Sequence, residues 1–131
     1  MNIWLLAASG LTFLTTAAHV FGGGSEIHVP ILESNAEAIP KAAVSVIWHW
    51  VTAVLLLNGA AYFMAARGHQ AALASLPLIN LQFAAFGLLF LFYGITRFGS
   101  IFVIGQWLFF LAIVTCGYLG QRSQTATVLG Q

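Results

Sequence analysis

The sequence predicts an all-α, polytopic membrane protein built as an antiparallel bundle of four transmembrane helices. Of its 131 residues, 60% are hydrophobic and only 5% are charged, whereas soluble domains carry about 25% charge. The mean hydropathy is +0.94, and apolar stretches long enough to cross a bilayer recur along the chain. This composition excludes a soluble enzyme, a disordered tail and a nucleic-acid-binding protein, which needs a basic face. The lipid bilayer is therefore the first expected partner.

The predicted spans begin and end at glycine, proline or charged residues, which are typical stop signals for helices. A flexible polar loop is expected where three successive glycines follow the first span and Pro30 and Pro40 follow them. A very short turn is expected between the last two spans, with Ser100 as a possible N-cap. The whole chain, 1–131, is expected to form one domain, with spans at about 3–21, 42–66, 77–96 and 100–120 and a polar loop at 22–41.

Four spans place both termini at one end of the bundle, which we call side A, together with the 67–76 loop. The opposite end, side B, contains the 22–41 loop and the short turn after the third span. Lysine and arginine are divided equally between the ends, so the positive-inside rule does not decide the orientation, and acidic residues influence topology little. Because every acidic residue falls on side B, side A is the more positive end, and it is expected to face the cytoplasm of a bacterial inner membrane. The charged residues are Arg67 and Arg122 on side A, and Lys41, Arg97, Glu26, Glu33 and Glu37 on side B.

Small and hydroxyl-bearing residues predict the faces on which the helices meet, because helices in lipid associate through close packing and hydrogen bonds. In the first span such residues recur at helical spacing, and amides within the spans are expected to form interhelical hydrogen bonds. Bulky phenylalanines are expected to face lipid or a partner protein. The stripe contains Ala8, Thr12, Thr15, Thr16 and His19, the amides are Asn58, Asn80 and Gln82, and the phenylalanines include Phe90, Phe92, Phe109 and Phe110.

The candidate functional residues gather on side B. His19 and His49 lie at comparable depths on adjacent helices, and Glu26 and His28 lie in the sequence between them. Histidine is the commonest metal ligand and a carboxylate can complete a zinc- or iron-type set, so a metal site of His19, Glu26, His28 and His49 is predicted. Alternatively, His19 and His49 would bind a cofactor by themselves, as the two axial ligands of a haem iron. Structural hydrogen bonding and proton handling by these two histidines remain open.

Three functions follow from these features. The first is a non-catalytic accessory subunit of a larger respiratory- or photosynthetic-type membrane complex, with other membrane subunits as partners. The second is a metal- or haem-binding membrane protein. The third is a small transporter or channel that uses the polar stripe of the first span. No catalytic residue is predicted, because the sequence has no aspartate, no glutamate within a span and a single cysteine, Cys116.

Overall fold

The computed structural model describes the backbone of residues 1–129 and the side chains of residues 1–124. Within this range the chain is helical and contains no strand, which confirms the all-α class. The first helix, α1, continues without interruption into a π-helical segment and then into a short helix, α2. The elements are α1 (Ile3–Ala17), the π segment (Ala18–His28), α2 (Val29–Glu33), α3 (Ala38–Ala66), α4 (Gln70–Phe98) and α5 (Trp107–Leu129).

In the part of the chain that the structure describes, three helical stretches are long and apolar enough to cross a membrane. They are Ile3–Glu33, Ala38–Ala66 and Gln70–Phe98, with mean hydropathies of 1.5, 1.5 and 1.9. Among the described residues, α5 is not one of them, because it begins only at Trp107 and soon reaches the polar Gln121 and Arg122. The structure thus supports membrane insertion through three helices, and the fourth predicted span stays a prediction.

The predicted polar loop at 22–41 is wrong for most of its length. Helical structure continues through the three glycines to Glu33, and only residues 34–37 separate α2 from α3. Glycine lowers helix propensity but does not prevent helix formation, and in an apolar environment a continuous helix satisfies backbone groups that a loop would leave unpaired. Pro30 lies at the start of α2 and Pro40 in the first turn of α3. Proline is tolerated at position 40 because the first N–H groups of a helix have no intrahelical acceptor. Pro30 instead lies within the continuous helix, where the π segment passes into α2.

The predicted start of the fourth helix near Ser100 is also wrong. Gly99 adopts a left-handed conformation with φ of +63°, and the backbone N–H of Ser100 donates to the carbonyl of Gly94. The Ser100 hydroxyl accepts from the N–H of Phe102 within the turn, and α5 begins at Trp107. The indole Nε1 of Trp107 donates to the carbonyl of Ile101 at 2.8 Å and ties the connection to the start of α5.

Each long helix packs against two others: α1 contacts α3 and α5, and α4 contacts α3 and α5. The N-terminus of α1 lies beside the C-terminal end of α3, where the N–H of Asn2 donates to the carbonyl of Ala66 at 2.9 Å. The Asn2 side-chain amide donates to the carbonyl of Gly120 on α5, also at 2.9 Å. The hydroxyl of Ser9 donates to the carbonyl of Gly59 at 2.8 Å. The small, polar face of α1 is therefore a packing face, as predicted.

The amides within the spans form the interhelical hydrogen bonds that the sequence predicts. The hydroxyl of the fully buried Tyr62 donates to Asn80 Oδ1 at 2.6 Å, and Asn80 Nδ2 donates to Gln121 Oε1 at 3.2 Å. A second bond joins Asn58 Nδ2 to Gln82 Oε1 at 2.9 Å. These bonds connect α3 to α4 and α4 to α5, all in the half of the helices nearest side A.

The packing is uneven along the helices. On α3 the buried residues begin at Leu55 and continue to the side A end, whereas no residue from 38 to 54 is buried. On α4 most buried residues precede Gly87. The helices are thus closely packed near side A and leave space between them toward side B, where His19, His28 and His49 lie.

Candidate functional site

The site is organised by the indole ring of Trp48 on α3. The ring of His19 stacks on it with centroids 4.0 Å apart, and the ring of His28 is nearly parallel to it at 5.2 Å. His49 approaches His28 edge-on at 5.6 Å. Because the π segment carries both His19 and His28, it brings two imidazoles to one indole. We call these four rings the histidine cluster.

Each histidine of the cluster directs one ring nitrogen at an oxygen atom. His19 Nε2 lies 3.3 Å from the carbonyl oxygen of Trp48, and His49 Nδ1 lies 2.8 Å from the carbonyl oxygen of Ser45. His28 Nε2 lies 3.1 Å from Ser45 Oγ, whose proton is donated to the carbonyl of Lys41. In each neutral ring the nitrogen facing the oxygen is therefore the donor, and the other nitrogen carries the lone pair. This type of orientation is common in histidines that bind metals.

The cluster only partly reproduces the predicted metal site. It brings His28 next to His49, but the indole of Trp48 stacks against both His19 and His28. Glu26 lines a cavity together with His19. Among the described residues, no group of three or more His, Cys, Asp or Glu side chains is arranged to hold a metal ion. Ligation of a metal or haem by these residues stays a prediction.

A cavity of about 510 Å³ opens beside the histidine cluster, between the long helices. Its volume falls within the range of about 300–1,000 Å³ typical of small-molecule sites. Its polar lining consists of Thr15, His19, Glu26 and Gln106, and the rest is apolar or glycine. The Thr15 hydroxyl already donates to the carbonyl of Leu11, so toward a ligand it can act only as an acceptor. The aromatic lining comes from Trp48, Phe86, Phe90, Phe109 and Phe110.

The absence of a side chain at Gly23 in the π segment leaves room for the Trp48 ring at the cavity wall. A Cβ added to Gly23 would lie 2.9 Å from Trp48 Cη2, closer than real Cβ atoms approach. Gly22 and Gly24 have no such neighbour within 4 Å. Of the three glycines, only Gly23 is therefore required by the close approach of a side chain.

The predicted phenylalanine environments are right in part. Phe110 is buried with 7% exposure and Phe90 is only partly exposed, whereas Phe92 and Phe109 are exposed as expected, and Phe90 and Phe109 also line the cavity. Sequence reasoning also missed Gln106, because its position in a turn gives no periodic signal. Phe86 and Phe90 are spaced four residues apart and so share one face of α4. This spacing in the sequence could have predicted that the two rings form part of one aromatic wall.

The remaining candidates lie away from the cavity or are already hydrogen-bonded. His69, which belongs to the predicted 67–76 loop of side A, lies in the turn between α3 and α4, at the opposite end from the cluster. In the polar stripe of α1, the hydroxyls of Thr12 and Thr16 donate to the carbonyls of Ala8 and Thr12. These hydroxyls are thus used within their own helix.

When the chain is compared with family models, curated protein sequences and solved structures, none of them matches it.

Proposed function

We propose that the chain crosses the membrane four times as an antiparallel helical bundle, with α5 as the fourth span. The proposal is supported by the contacts of α5 with both α1 and α4 and by the apolar run from Trp107 to Leu119. Four crossings put both termini on the side of Arg67 and Arg122, which we place in the cytoplasm of a bacterial cell.

Within this architecture, the function best supported is the binding of a lipid-soluble small molecule, without catalysis by the protein itself. The main support for this function is the cavity of about 510 Å³ at the side B end, where apolar and aromatic walls surround a few polar groups. That combination is typical of ligand sites. Because three of the walls come from membrane-spanning helices, a ligand dissolved in the bilayer could enter from the lipid.

Photolabelling with a neutral aryl diazirine tests this function. In detergent-solubilised protein we expect saturable labelling of peptides that contain the cavity residues Val51 and Phe86. Substituting Val51→Trp fills the cavity and should reduce this labelling by about tenfold, as loss of a well-fitted apolar group does. Labelled peptides and their saturation are read by mass spectrometry.

Leu57→Trp is the matched control, because Leu57 lies on the same helix but is 70% exposed and does not line the cavity. It should leave the saturable labelling unchanged. Labelling that does not saturate, or that is equal in Val51→Trp and wild type, would contradict the proposed function.

A second candidate is the accessory subunit of a larger membrane complex, and the exposed aromatic residues favour it. Phe21, Phe92, Phe98 and Phe102 are 78, 57, 55 and 71% exposed. Phenylalanine is enriched where proteins meet, although lipid would also cover these side chains.

Gentle extraction of native membranes tests the accessory function. We expect the chain to co-purify with larger subunits in wild type and to be released when Phe92 is replaced by alanine. Phe13→Ala is the control, because Phe13 packs on Gly59 of the same chain and is not part of this exposed surface. Recovery of the wild-type chain only as a free monomer or homodimer would remove the accessory-subunit candidate.

A further inference from the structure

The charge of the cavity lining is negative. Among the residues that the structure describes, Glu26 is the only lining residue of the Asp, Glu, Lys and Arg type, and Lys41, Arg67, Arg97 and Arg122 are not part of the lining. Glu26 lines the cavity and is also exposed, so the residue lies at the boundary between the cavity and its surroundings. A ligand that enters the cavity therefore meets a negative charge and no positive charge from a lysine or arginine.

The aromatic walls favour the same sign of charge. The lining contributes the rings of Phe86, Phe90, Phe109 and Phe110, together with Trp48, whose ring already stacks against His19 and His28. The face of an aromatic ring carries negative potential and attracts cations. A cavity lined by several phenylalanine rings and one acidic residue is a suitable environment for a cation that carries its own apolar groups. They do not suit a hard metal ion, which needs several oxygen ligands in place of its water.

We propose that the cavity binds a lipophilic organic cation, such as a quaternary ammonium or phosphonium compound with apolar substituents. This inference rests on the proposed ligand-binding function and names the ligand class of the same cavity. The apolar groups of the ligand fill the space between α3, α4 and α5, and its positive centre lies near Glu26. Anionic amphiphiles, including fatty acids, are disfavoured because they would bring a second negative charge to that carboxylate.

Two ions of nearly the same shape and opposite charge test the proposal. Tetraphenylphosphonium and tetraphenylborate are titrated by calorimetry into the full-length protein in neutral detergent at pH 8, where histidine of ordinary pKa is uncharged. We expect wild type to bind the phosphonium about tenfold more tightly than the borate. Glu26→Gln should weaken phosphonium binding by about three- to fivefold, the range of an exposed ion pair. The loss should shrink at high salt.

Glu33→Gln is the matched control, since it removes the same charge from the same end of the molecule outside the cavity lining. It should retain wild-type affinity, and Glu26→Asp should retain the preference for the cation. Affinity that is equal in wild type and Glu26→Gln, or equal for the two ions, overturns the inference.

The diazirine labelling separates this failure from failure of the proposed function. If the neutral probe labels the cavity saturably and the phosphonium does not protect it, the cavity binds ligands without a preference for cations. In that outcome the inference is wrong and the proposed function stands. If neither saturable labelling nor phosphonium binding occurs, both are wrong.

Discussion

Replacing Gly117 by alanine is expected to destabilise the protein by about 1–3 kcal/mol, the usual cost of overpacking a close contact. Gly117 is buried on α5, and an added Cβ would overlap Asn80 Oδ1 and lie 2.8 Å from the Tyr62 hydroxyl. These are the two atoms of the hydrogen bond between α3 and α4. The methyl group would therefore displace α5 or break that bond. Unfolding free energies from SDS titration in mixed micelles provide the measurement.

Gly10→Ala is the control for this experiment, because no atom lies within 4 Å of the added Cβ. Alanine favours the helix over glycine by about 0.8–1.0 kcal/mol, so Gly10→Ala should be neutral or stabilising. The two substitutions are thus expected to differ in sign. If Gly117→Ala were as stable as Gly10→Ala, the close approach of α5 to Tyr62 and Asn80 would be wrong.

Replacing Asn80 by alanine is expected to cost about 1–3 kcal/mol, because it leaves the buried Tyr62 hydroxyl without its acceptor. Tyr62 is fully buried and Asn80 is 8% exposed, so water cannot readily replace the lost amide. Tyr62→Phe removes the donor instead and should cost less, about 0.5–1.5 kcal/mol. The double variant should be less destabilised than the sum of the two, since both remove one interaction.

Asn58→Ala supplies the comparison, because the bond between Asn58 and Gln82 is only partly buried. Its expected cost is about 0.6 kcal/mol, the average for hydrogen bonds between membrane helices. Equal and small effects of Asn58→Ala and Asn80→Ala would contradict the assignment of Asn80 to the packed half of the molecule.

Local features of the sequence were sufficient to predict the structure correctly where a single physical rule applied. The amides Asn58, Asn80 and Gln82 were predicted to bond between helices, because lipid offers them no other partner. The packing face of α1 was predicted for a related reason, since small residues allow backbones to approach closely. His69 was separated correctly from the other histidines, because helix order alone puts it at the opposite end.

Predictions failed where several local preferences competed. Three glycines and two prolines between 22 and 41 suggested a loop, but helix continues to Glu33 and resumes at Ala38. Glycine weakens a helix by only about 1 kcal/mol per residue, which is less than the cost of unpaired backbone groups in an apolar environment. At the other connection, the left-handed Gly99 and the turn after it delay α5 until Trp107.

The sequence by itself determined the helical class, the presence of helices long and apolar enough to cross a membrane, and the placement of His19, Glu26, His28 and His49 toward one end of the molecule. Those properties follow from composition and order along the chain, and no contact between distant residues alters them. Only the tertiary structure decided that Trp48 lies against both His19 and His28. It also decided that Glu26 shares a cavity with aromatic residues of three other helical regions. Whether a ring faces lipid, a neighbouring helix or a cavity depends on how the helices are rotated and spaced, and periodicity cannot specify that when nearly every face is apolar.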